Sequence, residues 1–358
     1  MRRGAARRKR FSPLGLLAPE VCSVRRARME ARAMLAGFPT LRGPCLAKHE
    51  PRHAMHRSCS LYNSMMIGIV IVFYRPDAGC VARANRLARY GRCVVVDNSE
   101  RLQLPSALGL DGGVHYIANG NNLGIAKALN QGVDFVRANG CDCALLFDQD
   151  SQPAEHLFVE LPAALMRELE AGRRVAVVGP AYEDVRLGGV APFVRFSFPR
   201  LERVPAVGDR LLPVDFLITS GSCINLRAWD DVGPMDESLF IDFVDVEWCV
   251  RARRAGFEVL GAPNLRLAHE LGGEPVNVFG RNYPSHSAIR HYYLFRNAVA
   301  LSKRGYMPWS WKANELLKMP ARLVIYGLWL KPRREHVRMA LRGVWHGLIG
   351  RMGALCSS

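Results

Sequence analysis

Two carboxylates one residue apart, Asp148 and Asp150 on either side of Gln149, follow the apolar run Cys143-Ala144-Leu145-Leu146-Phe147. The run is short, is bounded by Gly140 and Pro153, and reads as a buried strand whose end reaches the surface. Residues i and i+2 at such an end point the same way. The pair can therefore converge on one hard divalent cation, which would neutralise a diphosphate. The plainer alternative lets Asp148 end the strand while Asp150 or Ser151 caps a helix starting near Pro153.

Four further constellations accompany the pair. Asp97, after Cys93-Val94-Val95-Val96, stands where a nucleotide base would lie over a sheet edge and can accept a base imide N–H, or it caps the next turn. The segment from Asn119 to Gly132, with Asn121-Asn122-Leu123-Gly124-Ile125-Ala126-Lys127, is a Gly- and Asn-rich turn entering a helix. Such a turn allows close backbone approach and offers helix N-terminal amides to an anion. It lacks the Gly-Lys-Ser/Thr ending of a Walker loop, and GxGxxG is absent too, which argues against a P-loop ATPase or a Rossmann dehydrogenase.

In Phe240-Ile241-Asp242-Phe243-Val244-Asp245-Val246-Glu247-Trp248-Cys249-Val250-Arg251, three acids among bulky apolar neighbours are costly to bury without function or pairing. Asp245 can be a helix cap and Glu247 can pair with Arg251 at i+4, or a partly buried carboxylate here can be the general base for an acceptor hydroxyl. His269 follows a strand-like segment, where an imidazole is either structural or a metal ligand. Tyr292, Tyr293, Arg296 and Asn297 lie on an expected helix, from which Arg296 can meet phosphate or simply pack.

The elements that must position these groups alternate. Ile67 to Tyr74 is a β-branched, nearly continuous apolar run, as expected of a parallel strand covered on both faces. A helical pattern over 77–90, a strand from Arg92 to Val96, a short strand from Val114 to Ile117, a helix from Gly124 to Asn139 and the strand before Asp148 follow. Val175 to Val178 predicts another strand, and 181–210 is less regular. Thr219-Ser220-Gly221-Ser222 is small and polar enough to lie near a ligand. A helix is expected from near Asp245 to Arg254, ended by Gly256, with a strand at Phe257 to Leu260. This order predicts a doubly wound, mainly parallel α/β sheet with ligand groups at strand carboxyl ends.

The chain has 358 residues, of which 49% are apolar and 23% charged, enough for a real core. Its net charge is +17, but residues 1–65 hold fourteen Lys/Arg against three Glu, so +11 of it precedes Met66. That stretch has no hydrophobic period. It is expected to be a disordered Arg-rich extension, a targeting peptide, or the product of a mis-assigned start, with the true start at Met65 or Met66. The ten Cys show no repeated CxxC spacing, which suits a reducing cytoplasm better than a zinc module or disulfide framework. Beyond about Pro308, Trp309, Trp311, Trp329 and Trp345 interleave with Lys and Arg. This suits either an amphipathic surface facing anionic lipid or a helical appendage packed on the core.

Taken in order, these residues resemble the inverting family-2 glycosyltransferases of the GT-A fold, and within them the bacterial rhamnosyltransferases of O-antigen and other surface polysaccharides. The likeness runs over about residues 66–300, with 301–358 as a basic, aromatic helical region. It implies that Asp97 contacts the base of a sugar nucleotide and that Asp148 and Asp150 hold Mg²⁺ or Mn²⁺ on its diphosphate, with His269 as a further ligand. Asn98, Asn122, Gly124, Lys127, Gly221 and Arg296 complete the implied donor site. Asp245 becomes the candidate base and Glu247 an orienting acid, although Val244 stands where the family often has Glu. The implied reaction moves L-rhamnose from dTDP-β-L-rhamnose to a glycan or polyprenyl-diphosphate-linked acceptor. The implied location is the cytoplasm, peripherally on the inner membrane.

Rival expectations are transfer of galactofuranose, glucose or N-acetylglucosamine on the same fold, nucleotidyl transfer, and nucleic-acid binding. Nucleotidyl transfer is disfavoured because no basic Gly-rich loop follows the first strand. Nucleic-acid binding is disfavoured because most of the excess charge precedes Met66.

Overall fold

The computed structural model describes residues 65–184, 189–198, 201–268, 273–278 and 281–355, with 273–278 and 281–285 described by backbone alone. The Arg-rich 1–64 stretch and His269 therefore lie outside the described residues. In the first half, strands β1 (Ile67–Phe73), β2 (Arg92–Asp97), β3 (Val114–Ala118), β4 (Cys143–Asp148) and β5 (Val175–Asp184) alternate with helices α1 (Ala78–Leu87), α2 (Pro105–Leu108), α3 (Ile125–Ala138) and α4 (Leu157–Glu170). Helix α4 begins four residues beyond Pro153, so Asp150 and Ser151 do not cap it. Short strands β6 (Gly189–Val190), β7 (Phe193–Arg195), β8 (Glu202–Val204) and β9 (Leu212–Pro213) occupy the less regular stretch.

Then come β10 (Cys223–Asn225), α5 (Leu226–Val232), α6 (Val244–Arg254), β11 (Glu258–Ala268), β12 (Gly273–Val278), β13 (Arg281–Ser285), α7 (Ala288–Ser302), α8 (Trp309–Leu328) and α9 (Arg333–Ile349). The main sheet has the order β3-β2-β1-β4-β10-β5-β11-β9, with β6 beside β5. Strands β1 to β4 are mutually parallel, β10 is antiparallel to both β4 and β5, and β5 is parallel to β11. The sheet is therefore mainly parallel, as expected, with one reversed strand at its centre. β5 and β11 outrun the predicted strands because their ends pair again beyond a bulge, at Ala181 to Glu183 with Arg266 to Ala268.

Alternation along β1 divides the core. Val70 and Val72 pack with Leu129, Val133 and Val136 of α3 and with Trp229 and Trp248, while Ile69, Ile71 and Phe73 pack against Leu87, Phe158 and Leu161. Gly132 lets α3 press onto β1, since a Cβ there would meet Val70 Cγ1 at 2.2 Å. At the carboxyl end, Ser287 precedes α7, which spans residue 300 and packs with α8 and α9 around Phe295, Val299, Met319, Tyr326 and Ala340. Among the described residues no helix is long and apolar enough to cross a membrane.

Candidate active site

Strand register brings the acids to one edge. Val72 of β1 is level with Asp148 and Phe73 is level with Asp97, so the two aspartates flank β1 at the carboxyl ends of β4 and β2. Gln149 is turned back onto β1: its Oε1 accepts from Tyr74 N at 2.8 Å and its Nε2 donates to Tyr74 O at 3.2 Å. Asp148 is half-buried and Asp150 exposed. The small polar segment closes over the same strand end. Gly221 N donates to Leu146 O at 2.7 Å, and the Ser151 and Ser220 hydroxyls lie 2.5 Å apart. Gly221 has φ +80°, and a Cβ on it would strike Leu267 at 2.8 Å. A backbone bridge from Gln152 to Ala268 brings the end of β11 to the aspartate turn.

Asp245 sits in the first turn of α6, half-buried, with Oδ1 accepting from Val246 N at 2.8 Å. Burial is the main cause that pushes its pKa up to about 6, and the charges of Asp242 and Asp148 push the same way. Burial, and then the charge of Asp245, also hold the hydroxyl of the β5 residue Tyr182 above its usual pKa. Asp242 contributes a third carboxylate. Its Oδ1 accepts from Arg290 Nε at 3.1 Å, its Oδ2 is buried without a hydrogen-bond partner, and burial raises its pKa. The segment carrying it is strained: Phe240, Asp242 and Phe243 have φ of 65°, 66° and 63°.

On the nucleotide side, Asp97 is buried and committed. Its Oδ1 accepts from Ser99 N at 2.8 Å and Ser99 Oγ at 2.5 Å, and its Oδ2 accepts from Tyr116 OH at 2.7 Å. It does hold the next turn, and the acceptor site left over is on Oδ2. Asn98 ties β2 to the following loops, donating to Gly124 O at 2.9 Å and accepting from Asn119 at 2.8 Å. Asn122 Oδ1 accepts from Gly124 N at 3.0 Å. Gly124 has φ +87°, and a Cβ there would lie 2.6 Å from Phe240 O.

Four of these groups are engaged within the protein, Glu247 and Arg296 in the pairing and packing that were the alternatives to a ligand role. The first amide of α3 does not face an anion, because Ile125 N donates to Phe240 O at 2.7 Å. Lys127 pairs with Glu237 at 3.1 Å rather than projecting to a diphosphate. Glu247 is 1% exposed and accepts from Arg251 at 2.7 and 3.0 Å and from Tyr306 at 2.6 Å, so its carboxylate is spent inside the fold. Arg296 is fully buried, with its guanidinium on the carbonyls of Ser238, Leu239 and Gly353. Sequence reading gave no role to Tyr116, whose period-2 spacing from Val114 was its only signal, or to Asp242 as a charge acting on Asp245.

The glycosyl transferase family 2 profile matches residues 81–202. The chain is 32% identical over 243 residues to the dTDP-rhamnosyl transferase RfbF of Shigella flexneri, covering 67% of this chain and 80% of that protein. This chain belongs to glycosyltransferase family 2. The glycosyltransferase is also 22% identical over 321 residues to the low-salt glycan biosynthesis hexosyltransferase Agl10 of Haloferax volcanii, covering 83% and 96% of the two chains. Against the S. aureus TarS 1-349 complex with UDP-GlcNAc it has 11% identity and a TM-score of 0.48, covering 79% of this chain and 81% of that one. Its mainly parallel α/β sheet and carboxyl-end acids agree with the architecture that the family resemblance implied.

Proposed function

We propose that this glycosyltransferase transfers L-rhamnose from dTDP-β-L-rhamnose, with inversion, to a glycan or polyprenyl-diphosphate-linked acceptor in surface-polysaccharide synthesis. The observation that carries the donor assignment is the 32% identity, over 80% of its length, to a dTDP-rhamnosyl transferase. In this reading Asp245 takes the proton of the acceptor hydroxyl as that oxygen bonds to the anomeric carbon. The bond from that carbon to the diphosphate oxygen breaks, and dTDP leaves with the electron pair. A base in a half-buried position with its pKa raised to about 6 is ionised at neutral pH yet basic enough to accept the proton.

Asp97, braced by Ser99 and Tyr116, supports the base of the nucleotide, and Gly221 and Asn122 line the adjoining turns. Asp148 and Asp150 fit a hard cation by their oxygen chemistry, and Gln149 is tethered away from them. They would hold Mg²⁺ or Mn²⁺, with His269 as the further ligand the resemblance implies; the cation would neutralise charge on the departing diphosphate. Among the described residues, which do not include His269, no group of three His, Cys, Asp or Glu side chains is placed for a metal.

The C-terminal helices support peripheral association with the cytoplasmic face of an anionic membrane. Exposed Trp309, Leu317, Val324 and Leu328 of α8, and Leu341, Trp345 and Leu348 of α9, stand beside exposed Lys318, Lys331, Arg334 and Arg338. The test is nucleotide release from a panel of sugar nucleotides with divalent metal and with EDTA. dTDP released from dTDP-rhamnose, and lost with EDTA, is expected; UDP released from a UDP-sugar instead would overturn the donor.

A further inference from the structure

The positive φ of Phe240, Asp242 and Phe243 needs an external cause, because none of the three is glycine. One face of α7 supplies it. Asn297 Nδ2 donates to the carbonyls of Leu239, Ile241 and Asp242 at 2.9, 2.7 and 3.0 Å. Arg296 Nη2 donates to Leu239 O at 2.8 Å and its Nε to Asn297 Oδ1 at 2.9 Å, which orients the amide. One turn earlier Tyr293 stacks on Phe240, with ring centroids 4.7 Å apart, and Arg290 holds Asp242 at 3.1 Å. Residues 290, 293 and 297 share a face by helical spacing.

The opposite side of α7 is pressed by α9. A Cβ at Gly343 would meet Tyr292 O at 2.3 Å, and one at Gly347 would meet Arg296 O at 2.6 Å. The tail beyond α9 returns to the same place, where Gly353 N donates to Ser238 O at 2.8 Å and Leu355 N to Tyr293 OH at 2.9 Å. The clamped segment in turn receives Ile125 N on Phe240 O, joining the nucleotide-side loop to the start of α6.

We propose that Arg296 and Asn297 are positioning residues that hold 238–243 in its strained course, aligning Asp242 and the α6 turn bearing Asp245, and that α9 and the 353–355 tail are part of this clamp. The inference rests on the reading of Asp245 as the base. It gives the C-terminal region a role in the transfer step itself, and it moves Arg296 from diphosphate binding to acceptor-side geometry.

The test compares Asn297→Leu and the milder Arg296→Lys with wild type in the full chain, by steady-state kinetics and local amide exchange. Exchange across 238–247 is expected to accelerate about tenfold while β1 to β4 stay protected. Turnover is expected to fall about 10- to 100-fold, as for a misplaced reacting group, with donor KM held within about twofold. A rise in donor KM at unchanged kcat would return Arg296 to the diphosphate, and unchanged loop protection with unchanged kcat would remove the clamp. If Asn297→Leu loosens the whole fold, Arg296→Lys decides by the same readouts. Asp245→Asn, run alongside, separates the two ideas: retained turnover there fells the base assignment, while the exchange result still judges the clamp.

Discussion

At the scale of residues, the reactive property of the site is an aspartate kept from its ordinary acidity. Asp245 owes its raised pKa first to burial, then to Asp242 and least to Asp148; a cation at Asp148 would offset that last charge and lower the pKa further by its own positive charge. The base must be ionised, so kcat/KM for transfer should be flat in the alkaline range. It should fall about tenfold per pH unit below a limb set by a pKa of about 6, or somewhat lower with metal bound. A profile with no acid limb above the ordinary Asp range would exclude Asp245 as the base. The same shift has a cost. A carboxyl whose folded pKa is raised contributes stability below its unfolded pKa and loses it as pH rises through the folded value. At pH 7 the ionised Asp245 therefore destabilises the fold, and Asp245→Asn should stabilise it by about 1–3 kcal/mol, read from denaturant midpoints. That gain should vanish near pH 4.

At the scale of elements, the strand ends were legible in the sequence and the loops between them were not. Asp97 and Asp148 could be placed because apolar runs of β-branched residues announce buried parallel strands, and such strands end at their ligands. The fates of Lys127 and Arg296 were not readable. Each depends on a partner far along the chain or on backbone carbonyls, as Lys127 does on Glu237 and Arg296 on Leu239. Local spacing did suggest the Glu247 and Arg251 pair, which forms at 2.7 Å. It could not show that Tyr306 takes a further share of that carboxylate. Gly124 is where two loops meet: with φ +87° and Phe240 O 2.6 Å from any added Cβ, Gly124→Ala should cost about 1–3 kcal/mol. It should also slow turnover, since the displaced atom belongs to the clamped segment. A variant with unchanged midpoint and rate would show that the contact is slack.

At the scale of the whole molecule, two halves meet over one sheet edge. Strands β2 and β4 carry Asp97 and Asp148 at their carboxyl ends, α6 carries Asp245 in its first turn, and the C-terminal helices brace the segment leading into α6 while exposing an apolar and basic surface. That surface should bind anionic vesicles and release them as salt is raised toward 0.5 M, and Leu317→Glu with Trp345→Glu should abolish cosedimentation. Equal binding of that double variant would place the acceptor's delivery elsewhere. The central claim is that a single acid, Asp245, removes the acceptor proton in an inverting sugar transfer. The most direct measurement is the transfer rate from dTDP-β-L-rhamnose for wild type, Asp245→Asn and Glu247→Gln. Loss of about 10²–10⁴-fold in Asp245→Asn, with Glu247→Gln changing stability far more than rate, is the predicted result. Near-native transfer by Asp245→Asn would contradict the account.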